Sequence, residues 1–177
     1  KIYWEFRIMY YSSIGILAIL ILSIINFSLL FRSSNKTLDE AHKAYKNFLF
    51  SIAIFYIVDI AWSPLYILNV RIVNFLETRL YFVVMAFSVI FWTKFVITYL
   101  NVKNLFGKIV IFLGYFFLIA QIIVLAVNLF IPIAFWFEEN GSYHTAIARN
   151  INLAAQILIC FIIGIYMIFA IIKSNNN

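Results

Sequence analysis

Two ionisable side chains of opposite sign lie inside long apolar stretches of this chain. Asp59 is in the stretch FLFSIAIFYIVDIAWSPLYIL, and Lys94 is in LYFVVMAFSVIFWTKFVITYL. An ionisable group in hydrocarbon is costly, and such groups typically bind ligands, move protons or pair with one another. We therefore expect Asp59→Leu to preserve the fold and to abolish the response to a ligand.

Other polar residues recur at helical spacing around these two charges. Asp59, Trp62, Ser63, Tyr66 and Asn69 share one predicted helix face, and three further stretches carry similar faces. Their members are Gln121 and Asn128; Arg149, Gln156 and Cys160; and Tyr81, Met85, Ser88 and Trp92, beside Lys94. Because lipid cannot solvate such groups, we expect the four faces to meet.

Two interpretations of these faces remain open at this stage. In the first, the polar groups join the helices through hydrogen bonds worth about 0.6 kcal/mol each. In the second, they line a chamber that binds a small molecule, because aromatic walls with a few convergent polar groups are typical of such pockets. The predicted lining is Asp59, Trp62, Tyr66, Arg79, Gln121, Asn128, Arg149 and Gln156.

Asp59 and Lys94 are also candidates for an ion pair. Their positions in the predicted spans differ in depth by about 7–8 Å at 1.5 Å per residue. A lysine stem covers such a gap only by reaching away from the nearer membrane surface. Direct pairing is therefore not favoured, and a backbone donor is the alternative partner of Asp59.

The sequence has no pattern typical of catalysis or metal binding. It lacks a Ser/His/Asp set, a Gly-rich phosphate loop and a zinc-protease motif. His42 and His144, the two histidines, lack further ligands at suitable spacing. Glu138 and Glu139 are interpreted as a solvated loop face. We predict that this segment is not an enzyme and uses no cofactor or metal.

Composition places the chain in a membrane. It is 66% hydrophobic and 11% charged, with a mean hydropathy of +1.02, and no soluble domain of this length hides that much apolar surface. Crossing a bilayer takes about 20 helical residues. We predict an all-α, single-domain bundle of five transmembrane helices, at about 11–31, 48–68, 80–100, 108–131 and 151–172.

Basic residues predict the orientation of this bundle. The loop at 32–47 holds the largest basic group, Arg32, Lys36, Lys43 and Lys46, which places it in the cytoplasm. The N-terminus is then outside and the C-terminus in the cytoplasm. The net charge of +6 lies in short loops, where it predicts contacts with anionic membrane lipid and not with nucleic acid.

The external loop WFEENGSYHTAIARN carries a strong turn signal. Asn140-Gly141 predicts a short hairpin or tight turn. Pro132, just before this loop, is expected to end or kink the fourth span at the outer surface. The chain begins at Lys1 and stops at Asn177, and we expect both ends to be edges within a longer protein.

Three segments carry a resemblance to a known group of proteins. They are IVDIAWSPLY, TRLYFVVMAFSVIFWTKFVITYLN and NLFIPIAFWFEENGSYHTAIARNINLAAQI, followed by a fifth span. Over roughly residues 40–172 the chain resembles the N-terminal membrane sensor region of many Firmicutes signalling proteins. That region most often precedes a GGDEF diguanylate cyclase domain, and sometimes an EAL or histidine kinase domain. Residues that match the pattern are Asp59, Trp62, Tyr81, Trp92, Thr93, Tyr99, Tyr143, His144 and Arg149.

The resemblance implies a sensory function in a bacterial cell membrane. A ligand would favour one arrangement of the helices, and the fifth span would pass the change to a cytoplasmic enzyme acting in cyclic di-GMP signalling. The output domain is absent from this segment, and a homodimer is implied because diguanylate cyclases act as dimers. Tyr81, Trp92 and His144 thereby join the chamber residues as ligand-binding candidates. The alternatives are the sensor of a histidine kinase, a small transporter or its substrate-binding subunit, and a structural membrane protein.

Overall fold

A computed structural model describes residues 2–31, 40–102 and 105–175 of the chain. The elements in these ranges are α1 (Ile2–Ile25), α2 (Phe27–Phe31), α3 (Glu40–Leu68), α4 (Arg71–Tyr99), α5 (Leu105–Val127), β1 (Phe135–Phe137), β2 (Tyr143–Thr145) and α6 (Ile147–Asn175). The predicted helical architecture is confirmed, and four of the helices, α3, α4, α5 and α6, are long and apolar enough to cross a membrane.

The first predicted span differs from the helix that the structure shows. The chain is helical from Ile2 to Ile25, turns at Asn26 and continues in the short α2, so the predicted interval 11–31 is divided between two helical segments. The described apolar part of α1 is Ser13–Ile25, which is shorter than the four spanning candidates. A fifth crossing by α1 therefore stays a prediction.

Helix α1 packs against α3. Gly15 permits the close approach, because a Cβ built there would lie 2.8 Å from Ile60 Cγ1. Near the other end of α1, the Tyr45 hydroxyl donates a hydrogen bond of 2.8 Å to the Asn26 side-chain oxygen. These contacts attach α1 to one side of the bundle.

Helices α3 and α4 form the most extensive interface of the fold. Only Asn69 and Val70 separate the two helices, so residues 71–79, between the second and third predicted spans, are helical. Asn69 makes the reversal with a φ of 54°, a left-handed conformation that Asn tolerates better than most residues. Helix α3 likewise begins at Glu40, so Lys43 and Lys46 lie on a helix, whereas Arg32 and Lys36 fall outside the described residues.

Aromatic contacts fix the alignment of these antiparallel helices. The rings of Phe48 and Trp92 are 5.2 Å apart, and those of Phe55 and Tyr81 are 5.1 Å apart. Asp59 follows Phe55 by one helical turn on α3, and Glu77 precedes Tyr81 by one helical turn on α4. Because the helices are antiparallel, both steps lead in the same direction along the bundle. Asp59 and Glu77 therefore lie at the same level.

Helix α5 packs on α4, where Gly114 lies against Ile90 and Thr93. It ends at Val127, before the predicted limit of 131, and Pro132 lies in the irregular segment that follows. Helical-type backbone hydrogen bonds nevertheless continue beyond Val127 as far as the Ile131 N–H, which donates to the Val127 carbonyl. These turns end directly before Pro132, which has no N–H to continue them.

The hairpin predicted at Asn140-Gly141 is confirmed. Strands β1 and β2 pair antiparallel, with Trp136 opposite His144, and Gly141 adopts a φ of 84° in the turn. Phe135 is fully buried and packs on Phe82 of α4. The hairpin thus closes one end of the bundle, which we call the hairpin end.

Candidate functional site

Buried polar side chains gather on α4, α5 and α6 towards the hairpin end. We call Asn74, Glu77, Thr78, Gln121 and Asn152 the buried polar cluster. Asn74 and Gln121 are each 1% exposed, and Glu77 is 7% exposed. Each member has at least one buried side-chain atom that makes no hydrogen bond of acceptable geometry to a described residue. Such groups require explanation, because an unpaired buried polar atom costs about 1–3 kcal/mol.

The pattern of α4 explains how three members share one surface. Asn74, Glu77 and Thr78 are spaced at i, i+3 and i+4, and therefore project from one side of the helix. The same stripe continues through Phe82 and Met85 into the apolar core. These three polar side chains therefore continue the buried face of α4, which is mainly apolar from Phe82 onward.

Glu77 and Asp59 form an acidic pair between α4 and α3. Asp59 acts electrostatically on the Glu77 carboxyl, and the Thr78 hydroxyl is adjacent to it. On the far side, a Cβ built on Gly15 would lie 3.6 Å from Asp59 Oδ2. Asp59 therefore lies between Gly15 of α1 and Glu77 of α4.

Aromatic rings lie one helical turn to either side of this pair. Tyr81 and Phe55 are in contact on one side. On the other, Trp62 and Tyr66 stack with ring centroids 4.9 Å apart and an angle of 16°. The predicted candidates Asp59, Trp62, Tyr66 and Tyr81 are thereby brought to neighbouring turns of the same interface.

Lys94 lies far from this acidic pair. Its Nζ is 5.0 Å from the centre of the Tyr115 ring, and it lines a 270 Å³ pocket with Glu40, Lys43 and Thr98 at the other end of the bundle. Asp59 is about 15 residues further along α3 than this pocket, or roughly 22 Å. Pairing of Asp59 with Lys94 is therefore ruled out. The predicted depth difference was too small because α3 begins at Glu40 and not near residue 48, whereas α4 ends close to the predicted position.

The second strand of the hairpin lies near Glu77. Tyr143 lies within electrostatic range of Glu77, and Arg149 packs 5.9 Å from the centre of its ring. Burial raises the pKa of the Tyr143 hydroxyl; the Arg149 charge lowers it and Glu77 raises it further. Arg149 Nε is buried without a hydrogen bond to a described residue, so this predicted candidate belongs to the site.

His144 does not share this environment. Its ring stacks on Trp136 with centroids 5.1 Å apart, and its Nε2 lies 2.9 Å from Glu138 Oε1. Successive residues of a strand point to opposite faces, so His144 is directed away from the face that carries Tyr143. The expectation that His144 binds the ligand is not supported by this geometry.

Asn128 is occupied by the hairpin. Its Nδ2 donates to the Phe135 carbonyl at 2.9 Å, and its Oδ1 accepts from the Ala134 and Phe135 N–H groups at 2.7 and 3.2 Å. Its side chain thereby holds β1 against the end of α5. This residue was predicted to line a chamber, and it borders an open groove beside the hairpin.

Arg79 also lies apart from the acidic pair, on the side of α4 that faces α5. Its guanidinium donates to the Leu125 carbonyl at 3.1 Å and lies 5.7 Å from the centre of the Phe75 ring. It borders an open groove of about 890 Å³ with Arg71 and Trp136. The residues that were predicted to line one chamber are therefore divided between the interface at the acidic pair and this groove.

A third space lies deeper in the bundle, between α3, α4 and α6. This cavity of about 390 Å³ is mainly apolar and includes the predicted candidates Trp92 and Gln156. Cys160 and Ser88 add polar atoms to its wall. Gln156 Oε1 is buried without a hydrogen bond to a described residue, so the cavity has one polar group that a ligand could satisfy.

Sequence reasoning missed Asn74, Glu77, Thr78 and Asn152. A signal for the first three was present, because the predicted stripe of Tyr81, Met85 and Ser88 extends backward through Thr78 and Asn74 at helical spacing. Among the described residues, no group of three or more His, Cys, Asp or Glu side chains could hold a metal ion. Comparisons with family models, with curated proteins and with solved structures found no match to this chain.

Proposed function

We propose that this chain is a membrane-embedded sensory domain that binds a small molecule at the hairpin end. The observation that carries the proposal is the buried polar cluster beside the Asp59–Glu77 pair. A bundle that needed only stability would bury apolar groups there, because unsatisfied polar atoms oppose folding. A polar ligand enclosed between α3, α4 and β2 would give these atoms partners.

Helix α6 is the element that we propose carries the signal. In the most apolar part of α6, only 6% of the residues are buried, whereas 44% are buried in the corresponding part of α4. Few packing contacts therefore hold α6 in one position. It nevertheless begins next to the site, where Arg149 contacts Tyr143. A ligand that changes the position of Arg149 would therefore shift α6 at low cost.

The output and setting of the domain follow from the resemblance in sequence. We propose five crossings of a bacterial cell membrane, with the N-terminus outside and α6 leading into the cytoplasm. The partner of α6 would be a signalling enzyme in a homodimer, a diguanylate cyclase first and a histidine kinase second. The ligand would be small, and lipid would surround the remaining faces of the bundle.

Distance measurements between spin labels test the proposed signal. In a Cys160→Ser background, labels at Leu105→Cys and Phe169→Cys report the position of α6 relative to α5, from two exposed sites. Labels at Leu105→Cys and Phe50→Cys are the matched control across α5 and α3. A compound that stabilises the protein in a thermal screen should change the first distance and leave the second unchanged.

Two results would contradict the sensory proposal. If stabilising compounds change neither distance and are taken up into proteoliposomes, the protein is a transporter. If no compound stabilises the protein, and Asn74→Leu raises its thermal stability without other effect, the cluster has only a structural role.

A further inference from the structure

We propose that the cavity between α3, α4 and α6 binds a neutral aromatic molecule that carries a hydroxyl group. This inference goes beyond the proposed sensory site, because the residues that line the cavity include no member of the buried polar cluster. The second site can therefore exist whether or not a ligand binds at the hairpin end.

Helices α3 and α6 both contribute to the wall of this cavity, which has a volume of about 390 Å³. Helix α6 packs mainly on α4 and α5 and makes little direct contact with α3. The cavity thus occupies space that the packing of the helices leaves open. Small-molecule pockets typically have volumes of about 300–1,000 Å³, so one small molecule bound here would contact both α3 and α6.

Two polar side chains of the wall favour a hydroxyl group on this molecule. Gln156 Oε1 is buried and makes no hydrogen bond to a described residue. The Ser88 hydroxyl donates to the Val84 carbonyl at 3.1 Å, and its oxygen is still able to accept a hydrogen bond. A half-turn of the glutamine amide exchanges its oxygen and nitrogen. A hydroxyl both donates and accepts, so it pairs with the amide in either orientation.

The charge of the wall favours a neutral molecule. All the described side chains that line this cavity are uncharged. The other two spaces differ, because the groove at the hairpin end carries Arg71 and Arg79, and the smaller pocket carries Lys94. An ion that entered the uncharged cavity would lose its hydration without gaining a partner of opposite charge. A neutral molecule does not incur this cost.

Aromatic rings from two helices favour a flat aromatic body. Phe48 of α3 lies 5.2 Å from Trp92 of α4, at an angle of 46°, and both rings line the cavity. Phe55 and Tyr56 add two further rings, tilted at 57° to each other. Aromatic pairs prefer such offset and tilted arrangements, so an inserted ring would find partners on α3 and α4. A lipid acyl chain would fill the space but would leave the Gln156 amide without a partner.

Quenching of tryptophan fluorescence in lipid nanodiscs tests the proposal, because Trp92 lies in the wall and bromine quenches a tryptophan that it contacts. The probe is 4-bromophenol, at a pH where it is neutral. Its counterpart of the same shape is 4-bromotoluene, in which a methyl group replaces the hydroxyl. A third compound, 6-bromo-1-hexanol, has a hydroxyl on an aliphatic chain and represents an alcohol without a ring.

We expect saturable quenching by 4-bromophenol, above the linear quenching that comes from probe dissolved in the lipid. Trp92→Phe, which keeps an aromatic ring, should remove the saturable part. Trp136→Phe, in the hairpin, should retain it. The other two compounds should bind at least about fivefold more weakly, because each lacks either the hydrogen bond or the ring contacts.

A second variant tests the role of the glutamine amide. Gln156→Leu keeps a side chain of similar size and should weaken the affinity for 4-bromophenol roughly fivefold to tenfold. Its control is Asn150→Leu, which removes an amide from an exposed position of the same helix and should leave the affinity unchanged. Without ligand, Gln156→Leu should keep or raise the Tm, because it removes a buried oxygen that has no described partner.

Four results would overturn the proposal: no saturable quenching, saturable quenching that survives Trp92→Phe, equal affinity for 4-bromotoluene or 6-bromo-1-hexanol, or an affinity that is unchanged in Gln156→Leu. Equal affinity for 4-bromotoluene would identify the cavity as a space for any apolar molecule, including lipid. The sensory proposal is judged separately, by the distance between α5 and α6, and none of these four results contradicts it.

Discussion

The side chain of Asn69 lies directly against the backbone of Gly141. Asn69 forms the reversal between α3 and α4, and Gly141 forms the tip of the hairpin between β1 and β2. Two turns that are far apart in sequence therefore meet at the hairpin end of the bundle. Both adopt positive φ angles, 54° and 84°, so the contact joins two positions whose backbones have few alternatives.

We expect Gly141→Ala to destabilise the protein by about 1–3 kcal/mol. The new methyl group would overlap the Asn69 side chain, and the positive φ is unfavourable for any residue with a Cβ. Gly164→Ala is the matched control, because no described atom lies within 4 Å of a Cβ built there. It should be neutral or add up to about 1 kcal/mol through helix propensity. Similar free energies of unfolding for the two variants, in a denaturant titration, would refute the predicted contact.

Removing the Asn128 side chain should loosen the hairpin. In Asn128→Ala, the Phe135 carbonyl and two backbone N–H groups lose their partners, which we expect to cost about 2–4 kcal/mol. Asn150→Ala, on an exposed position of α6, should change stability by less than about 0.5 kcal/mol. Hydrogen exchange at Ala134 and Phe135 should become faster only in the first variant. Unchanged protection of both amides would contradict the assigned role.

Hydropathy predicted four of the helices well, because the apolar stretches that enter the membrane are also the helical ones. It failed at the start of α4, where Arg71, Asn74 and Glu77 resemble a polar loop when only their hydropathy is considered. These residues are helical because their buried side continues the packing face that begins at Tyr81. Averaging the hydropathy over many residues removes that periodicity, and Glu77, the partner of Asp59 in the acidic pair, was therefore missed.

The site was predictable where residues on one helix share a face, and unpredictable where distant segments meet. Asp59, Trp62 and Tyr66 were grouped correctly because i, i+3 and i+7 spacing is local. The role of Asn128 depends on how the chain folds back at Ala134 and Phe135, a tertiary contact that no sequence period encodes. The separation of Lys94 from Asp59 similarly depended on where α3 begins.

Ionisation of Tyr143 should make stability fall at high pH. Burial raises the pKa of this tyrosine above the ordinary value of 10.0 for an exposed tyrosine. Between pH 10.0 and the folded-state pKa, the unfolded chain releases this proton more readily than the folded one. The unfolded state is then favoured. The stabilising contribution is therefore complete below the unfolded pKa and is lost as pH rises through the folded pKa. Tyr143→Phe should reduce this decline in Tm, whereas Tyr99→Phe, an exposed control, should not; equal slopes would contradict the prediction.

Cysteine labelling determines whether α1 makes a fifth crossing. In a Cys160→Ser background, five crossings place Lys1→Cys and Asn140→Cys outside, where a membrane-impermeant maleimide reaches both in intact cells. Lys43→Cys, near the start of α3, should react only after permeabilisation. Four crossings would instead leave Lys1→Cys protected together with Lys43→Cys. The distinction bears on the site itself, because Gly15 of α1 lies against Asp59. If α1 crosses the membrane, it stays packed against Asp59. If it does not, α1 is able to separate from α3, and Asp59 would be exposed to lipid.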